Sequence, residues 1–537
     1  MAITFGGTAL LETMPGETYQ PRQRLSISTE HTSHFNAGPE FEESEDDSDD
    51  SSEEMDIENK FPDVEHMSVI TAEESDPWLP KIVLSLDGGS HRNFSTLLIL
   101  QALMKKIEQF EQKTDPTISD SARSREFHLP STNSRPPSDS RFRPCHYFDY
   151  IGGASTGGLI AILLGRMRRP VDEALEIFLQ FSQTMFPNFP RGMGISRLPR
   201  ALNNKATRSE KFAAQLDWSK PTDSSPEEDG QRFVSDSLRC RTIICAMEKT
   251  RLEDQGLGLR PYLFRSYAHE ARDESSYLRN PGGATDRSTA DVAKAAVAAS
   301  QFQNFEQHGY YDSGPGLNNP SLELYNEITS LHDPDNLALF ISIGCGASKT
   351  KDPSSPQSNS RAWKLKASFK RQEKELSLGA DAVHRRMHRK SRSPVSAFEY
   401  FRFDVKENIP ESSLGNWQSI QPGRHALKKI AAATDAYLAQ PEVDNRLHEC
   451  AEQLVHRRKL RAETLQWESF ALGVRYCCPH LVQCQVQKDK VRFATRDVLL
   501  DHLRTVHKEP PPDANNFERI NSLLDRGRIN SDRSDGS

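Results

Sequence analysis

Gly153-Ala154-Ser155-Thr156-Gly157 sets a serine between two glycines in a Gly-x-Ser-x-Gly pattern. Nucleophilic acyl chemistry wants a serine on a sharp strand-to-helix turn, with its hydroxyl exposed and small neighbours that let the chain fold back. Gly152 and Gly158 extend that permissiveness. The apolar run LIAILLGRM behind them predicts a helix whose first N–H groups favour a developing oxyanion. The pattern alone is weak, because glycine and serine are common residues and a bare tight turn reads the same way. Its position between a predicted strand, Tyr147–Ile151, and that helix gives it weight.

A nucleophilic serine needs a base. His332 and His425 could close a Ser–Asp–His order, but neither has a distinctive neighbourhood. Asp312 does. In YYDSGPGLNNPSLELYNEI it follows a predicted strand and stands in a Gly/Pro turn, before Asn318-Asn319-Pro320 opens a helix with Leu322, Tyr325 and Ile328 as its apolar face.

The elements needed to hold these residues are legible around them. Lys81–Leu86 reads as a buried strand ending in Asp87-Gly88-Gly89, and a helix follows with Leu97, Leu100, Leu103, Met104 and Ile107 on one face. Strand, glycine turn, helix is the opening of an α/β layered domain. Later strands are Thr242–Ala246 and Leu337–Ile343. Three polar stretches interrupt the rhythm, near 113–144, 218–232 and 347–394, the last of them basic (WKLKASFKR, then HRRMHRKSR). Trp363, Leu365 and Phe369 among those cations suit a membrane surface or a solvated loop equally.

The three motifs, in this order and on these elements, resemble the patatin-like phospholipase family, in the manner of its fungal members. DGGSHRN at 87–93 is similar to the family's Asp-Gly-Gly-Gly-x-Arg-Gly loop, GGASTGGLIA to its nucleophile turn, Asp312-Ser313-Gly314 to its Asp-x-Gly base, and FISIGCG and YFRFDV to two later strands. The resemblance covers about 80–425 and implies a three-layer α/β fold with a central, mostly parallel sheet. It also implies a Ser155–Asp312 dyad without histidine, with Gly88, Gly89 and Ser90 donating N–H groups to the oxyanion and Gly153 and Gly157 shaping the elbow. No catalytic cofactor is implied, and the substrates would be carboxylic esters of glycerolipids or phospholipids. Ser90 and Asn93 stand where the family has glycine. If position 90 needs a positive φ, a side chain there costs about 1–2 kcal/mol, and restoring glycine at both positions is expected to raise the rate. A weakened or inactive lipid- or protein-binding relative is the alternative.

Beyond about 425 the pattern is helical, and then Cys478, Cys484, Phe493, Leu499, His502 and His507 follow the spacing of a two-cysteine, two-histidine zinc finger on the helix side. The cysteine side departs: seventeen residues separate Cys484 from His502, where about twelve is usual. His480 or Cys477 could substitute as ligands, and the bland reading is an amphipathic helix with incidental histidines. One finger reads about three base pairs, so a structural Zn²⁺ or a protein contact is favoured over nucleic acid.

The expected organisation is a disordered acidic region at 1–78, a hydrolase domain at 79–425, a helical extension at 426–475, the finger-like segment at 476–508 and a disordered tail at 509–537. The net charge of −8 is largely local: residues 40–58 hold twelve acids and no Lys or Arg, more than the whole deficit, and their serines could be phosphorylated. The remainder keeps a surplus of only about four positive charges, too few to argue for a nucleic-acid partner. Eight scattered cysteines make no disulfide framework, and no apolar run is long enough to cross a bilayer. A cytoplasmic protein touching membranes from the side is the expectation.

Overall fold

The computed structural model describes residues 76–118, 120–121, 142–185, 232–252, 256–269, 279–297, 310–311, 317–346, 379–393, 398–406, 422–480, 484, 492–513 and 515–530. Asp312, the acidic stretch at 40–58 and the middle polar insertion lie outside them.

The first strand, β1 (Lys81–Leu86), leads into helix α1 (Asn93–Thr114); β2 (Tyr150–Ala154) leads into α2 (Ser155–Ala161), and α3 (Val171–Met185) follows. Next come β3 (Arg241–Leu252), β4 (Gly256–Arg265), α4 (Thr289–Ala296), β5 (Tyr310–Tyr311), α5 (Ser321–Leu331), β6 (Leu337–Ile343) and β7 (Glu399–Phe403). The sheet order is β4-β3-β2-β1-β6-β7, with β5 also on β3. β3, β2, β1, β6 and β7 run parallel, while β4 and β5 are antiparallel to β3. KIVLSL is apolar on both faces at Ile82, Val83, Leu84 and Leu86 because β1 lies at the centre, covered on both sides. Alternate residues sort to opposite sides. Ile82, Leu84 and Leu86 join the core under α1, α2, α3 and α4, whereas Val83 joins Tyr150, Leu324 and Phe340 under α5. Helices, sheet and helix therefore make three layers.

β2 begins three residues later than the sequence predicts, because Tyr147 and Phe148 fill the core from the turn that precedes it and Gly152 and Gly153 are strand residues. The buried face of α5 is Ser321, Leu324, Tyr325 and Ile328, with Leu322 only half-buried. A Cβ at Gly152 would lie 2.5 Å from Leu324, so this strand's glycine is what lets α5 close on the sheet. Lower on α5, Glu327 gathers Arg265 (2.6 and 2.8 Å), Tyr267 (2.8 Å) and His269 (2.7 Å) in a buried cluster. Burial alone would raise this carboxyl, but the hydrogen bonds from Arg265 and His269 hold it down to about 2.

Two further helices, α6 (Pro422–Leu438) and α7 (Pro441–Ala462), pack on α1. The chain then enters a small unit built from β8 (Val474–Tyr476), α8 (Arg496–Val506), α9 (Phe517–Gly527) and β9 (Arg528–Asn530), with β8 and β9 antiparallel. Two expectations are corrected here. Residues 515–530 are not a disordered tail: Ile520, Leu523 and Leu524 recur at helical spacing and pack on Leu499 and Leu503, a short period masked in the sequence by its charged flanks. The third insertion is not uniformly loop either, since residues 379–391 are helical with Ala380 and Met387 buried.

Candidate active site

Ser155 is the residue at which β2 turns into α2. Its φ is 52°, and it is 8% exposed. A left-handed non-glycine residue is costly and survives only where its surroundings hold it, a pattern common at functional sites. They do so by close approach of backbones. A Cβ at Gly153 would fall 2.3 Å from the Gly157 carbonyl oxygen, and one at Gly157 would fall 2.3 Å from that of Asp87. Both elbow glycines are thus required by contact, one within the turn and one against the end of β1.

That second contact brings the loop 87–93 to the serine. A Cβ on Gly88 would lie 2.9 Å from that of Ser155. The Gly88 N–H donates to the Asn318 carbonyl at 2.8 Å, which narrows the expected oxyanion donors to Gly89 and Ser90. Ser90 has a φ of 56°, so this position does carry the strain that its missing glycine would have relieved. Asn93 is different. Its φ is −64°, ordinary helix, and its buried amide ties the loop together. Its Nδ2 donates to the Asp87 carbonyl (2.7 Å) and to Thr96 Oγ1 (3.1 Å), and its Oδ1 accepts from Thr156 Oγ1 (2.5 Å). Thr156 also donates to the Ser90 carbonyl (3.3 Å), joining the elbow to the loop.

Beneath the loop sits a charged support that the sequence reading did not assign. Arg402, on β7, donates to both Asp87 oxygens (2.9 and 2.6 Å), to Ser342 Oγ (2.7 Å) and to Asp404 (3.2 Å). Asp404 accepts from the Gly346 N–H (2.8 Å). Burial lifts the Asp87 carboxyl to about 6, against the pull of Arg402. The Cys345 thiol, pushed up to about 12 by burial, donates to the Gly88 carbonyl at 3.0 Å. His91 is also buried, which lowers it to about 3 and leaves it neutral. Charged residues in YFRFDV, on a strand that otherwise reads as buried core, were the signal available in the sequence.

The histidine alternatives fare differently. His332 Nε2 is bound to the Tyr150 hydroxyl at 2.7 Å. Tyr150 opens β2 and Ser155 follows its far end, about 16 Å away at strand rise, so His332 is not the base. The His425 side chain and all of Asp312 lie outside the described residues.

In the C-terminal unit, Cys478, Cys484, His502 and His507 present ligand atoms all within 4.8 Å of one another. Cys478 Sγ is 3.2 Å from His507 Nε2, and Cys484 Sγ is 3.4 Å from His502 Nε2. A tetrahedral zinc with its usual bond lengths sets such ligands about 3.3–3.8 Å apart, so two thiols and two imidazoles here fit that ion. His480 and Cys477 are not in the cluster. The unit meets the body at the opposite end of the sheet from Ser155. Arg239 donates to the Leu472 carbonyl (3.0 Å) and Arg475 pairs with Asp236, both just ahead of the first residue of β3.

Residues 84–320 match the sequence family described as patatin-like phospholipase. Calcium-independent phospholipase A2-gamma of Oryctolagus cuniculus is 24% identical over 304 residues, covering 54% of this chain and 36% of that protein. The Homo sapiens protein of the same name is 25% identical over 267 residues, covering 49% and 28%. The chain thus matches only about a third of these relatives' length. The crystal structure of VipD from Legionella pneumophila aligns over 83% of each chain at 11% identity with a TM-score of 0.24, too loose to bear on the argument.

Proposed function

We propose, from the match of residues 84–320 to the patatin-like phospholipase family, that this chain is a serine acyl hydrolase that cleaves carboxylic esters of glycerolipids through Ser155 and Asp312. The observation that carries the proposal is the placing of β5. Ala154 pairs with Cys245 of β3, and Tyr311 pairs with Met247, two residues further along the same edge. β5 is antiparallel to β3, so the chain is heading back toward the end of β2 when it reaches Asp312. The gap along β3 is about 7 Å.

In this reading Ser155 Oγ attacks the ester carbonyl carbon and Asp312 takes its proton. The carbonyl oxygen, now an oxyanion, is held by the N–H groups of Gly89 and Ser90, each worth about 10²–10³ in rate. Collapse of the intermediate expels the alcohol, which leaves with the proton from Asp312. Water then repeats the sequence on the acyl-enzyme, with Asp312 again as base. No cofactor is invoked. The Cys/His cluster would hold a structural Zn²⁺ that takes no part in the chemistry. Among the described residues no helix is long and apolar enough to cross a membrane, and we place the protein in the cytoplasm, reaching its lipid from the side.

The test is labelling by a fluorophosphonate probe together with ester turnover. Ser155→Ala and Asp312→Asn should each abolish both in folded protein, and the double variant should be no worse than either. One observation favours the alternative of a weakened, lipid-binding relative: the strained Ser90 at the proposed oxyanion donor. Folded wild-type protein that binds lipid but neither labels nor turns over ester would establish that alternative.

A further inference from the structure

The helix at 379–391 carries opposite chemistry on its two sides. Ala380 and Met387 are buried, with Val383 packed against the same core. Arg385, Arg386, Arg389 and Arg392 are all exposed, at the spacing that puts them on one outward face. Asp381, the helix's acid, already pairs with Lys406 at 3.1 Å. Among the described residues no carboxylate forms an ion pair with any of the four arginines.

The first turn of the helix is fixed beside the candidate site, and its later turns, which carry the arginines, extend over α5 and β7. Its first turn meets Asn319, whose Nδ2 donates to the Ala380 carbonyl at 3.3 Å, and Asn318 next door holds the Gly88 N–H. Its other end lays Lys390 over the ring of Tyr325, 4.6 Å from the centroid. Both contacts fall on the segment that leaves the site and opens α5. His384 stacks on Tyr400 and anchors the middle.

We propose that this arginine face docks the protein on an anionic phospholipid surface, presenting the Ser155 end of the sheet to the lipid it hydrolyses. The proposal rests on the hydrolase reading, because a surface-bound substrate is what makes lipid rather than acidic protein the fitting partner. The charge is complementary, and the guanidinium fork matches phosphate oxygens two at a time. Attraction of this kind falls steeply with salt.

The experiment uses the full chain with phosphatidylcholine vesicles, with and without phosphatidylserine, read by co-flotation. Wild type should bind the anionic vesicles far better than the neutral ones. Each Arg→Gln change should weaken binding about fivefold, and the quadruple R385Q/R386Q/R389Q/R392Q by several hundredfold. The quadruple variant should keep its near-ultraviolet circular dichroism, its probe labelling and its turnover of a soluble short-chain ester, while hydrolysis of vesicle lipid falls. Equal binding to both vesicle types, or undiminished binding in the quadruple variant, would overturn the proposal. So would loss of vesicle binding to inorganic phosphate at constant ionic strength, which would assign the face to a free anion. Binding that appears only after the acids of 40–58 are replaced would overturn it too, by making the chain's own acidic stretch the occupant. The two readings separate cleanly: vesicle docking without any ester turnover sinks the hydrolase and leaves the surface, whereas turnover of soluble ester without anionic-vesicle preference does the reverse.

Discussion

The two ends of the sheet are held together in different ways. At the Ser155 end, backbones touch through Gly153 and Gly157, and the loop above them is fastened by Asn93, Thr156 and the Asp87–Arg402–Asp404 group. At the other end, the C-terminal unit closes a small core of Leu499, Leu503, Ile520, Leu523 and Leu524 around four ligand residues. The first end gains its precision from a large sheet that is already folded. The second is too small to stand on apolar burial alone, as mini-domains generally are, and needs a further cross-link. One site is therefore expected to depend on side chains far away in sequence, and the other on an ion.

Removing the ion is the largest test of that contrast. Protein purified without chelator should carry about one zinc per chain, and Cys484→Ser or His502→Ala should lose it and unfold the unit locally. Probe labelling at Ser155 should persist, because the unit attaches at the opposite strand ends. Metal-free protein with a protease-resistant C-terminus, or zinc kept in both variants, would break the contrast.

Next in size is Arg402. Arg402→Met leaves the buried Asp87 carboxylate unpaired, which typically costs about 3–5 kcal/mol. If the arginine positions the loop, kcat and the labelling rate per folded molecule should fall while KM stays, and Arg402→Lys should recover part of the loss. A lower melting temperature with an unchanged labelling rate would make it structural only.

The same group predicts how acid acts. The Asp87 carboxyl sits at about 6 when folded, above its ordinary value of 3.8. A raised carboxyl takes up its proton more readily folded than unfolded, so its stability contribution is full below 3.8 and is lost as pH rises through about 6. Acid therefore releases Arg402 without lowering stability through this group. Glu327, depressed to about 2, works the other way: its contribution is present above 4.5 and is lost as pH falls toward 2. Activity should thus fall near pH 6, ahead of unfolding. Asp87→Asn should remove that limb of the rate profile, and an unchanged limb assigns it to another group.

The smallest effects come from the two non-glycines of the loop, which the sequence groups together and the fold separates. Ser90→Gly should stabilise by about 1–2 kcal/mol, because it relieves a positive φ. Asn93→Gly should destabilise by about 1–3 kcal/mol and slow the reaction, since three buried partners lose their hydrogen bonds. Thermal melts of the two variants moving in the same direction would refute the distinction.

What could be read from the sequence follows from this. Ser155, the loop 88–90 and the central strands announce themselves by short-range patterns of glycine and apolar residues. The helix at 379–391 and α9 were hidden, because charged neighbours dilute a single apolar face. Arg402 was hidden for another reason: its meaning lies in Asp87, on a different strand, and no local spacing encodes that pairing. Asn93 looked like decay when judged against a glycine pattern, whereas its amide bonds give it a use that glycine cannot supply.

The central place of β1 also bears on how this chain is made. Among the described strands it is the first to be made, yet one edge waits for β6 and its entry point waits for α7, where Arg461 binds the carbonyls of Pro77 and Pro80 and Trp78 meets Thr464 just beyond the helix. About 250 residues separate the end of β1 from the end of β6, which at ordinary elongation rates is roughly 10–50 s of synthesis. For that time a six-residue, mainly apolar strand travels with an open edge, so nascent chains of this protein should depend on chaperones at least until β6 has emerged.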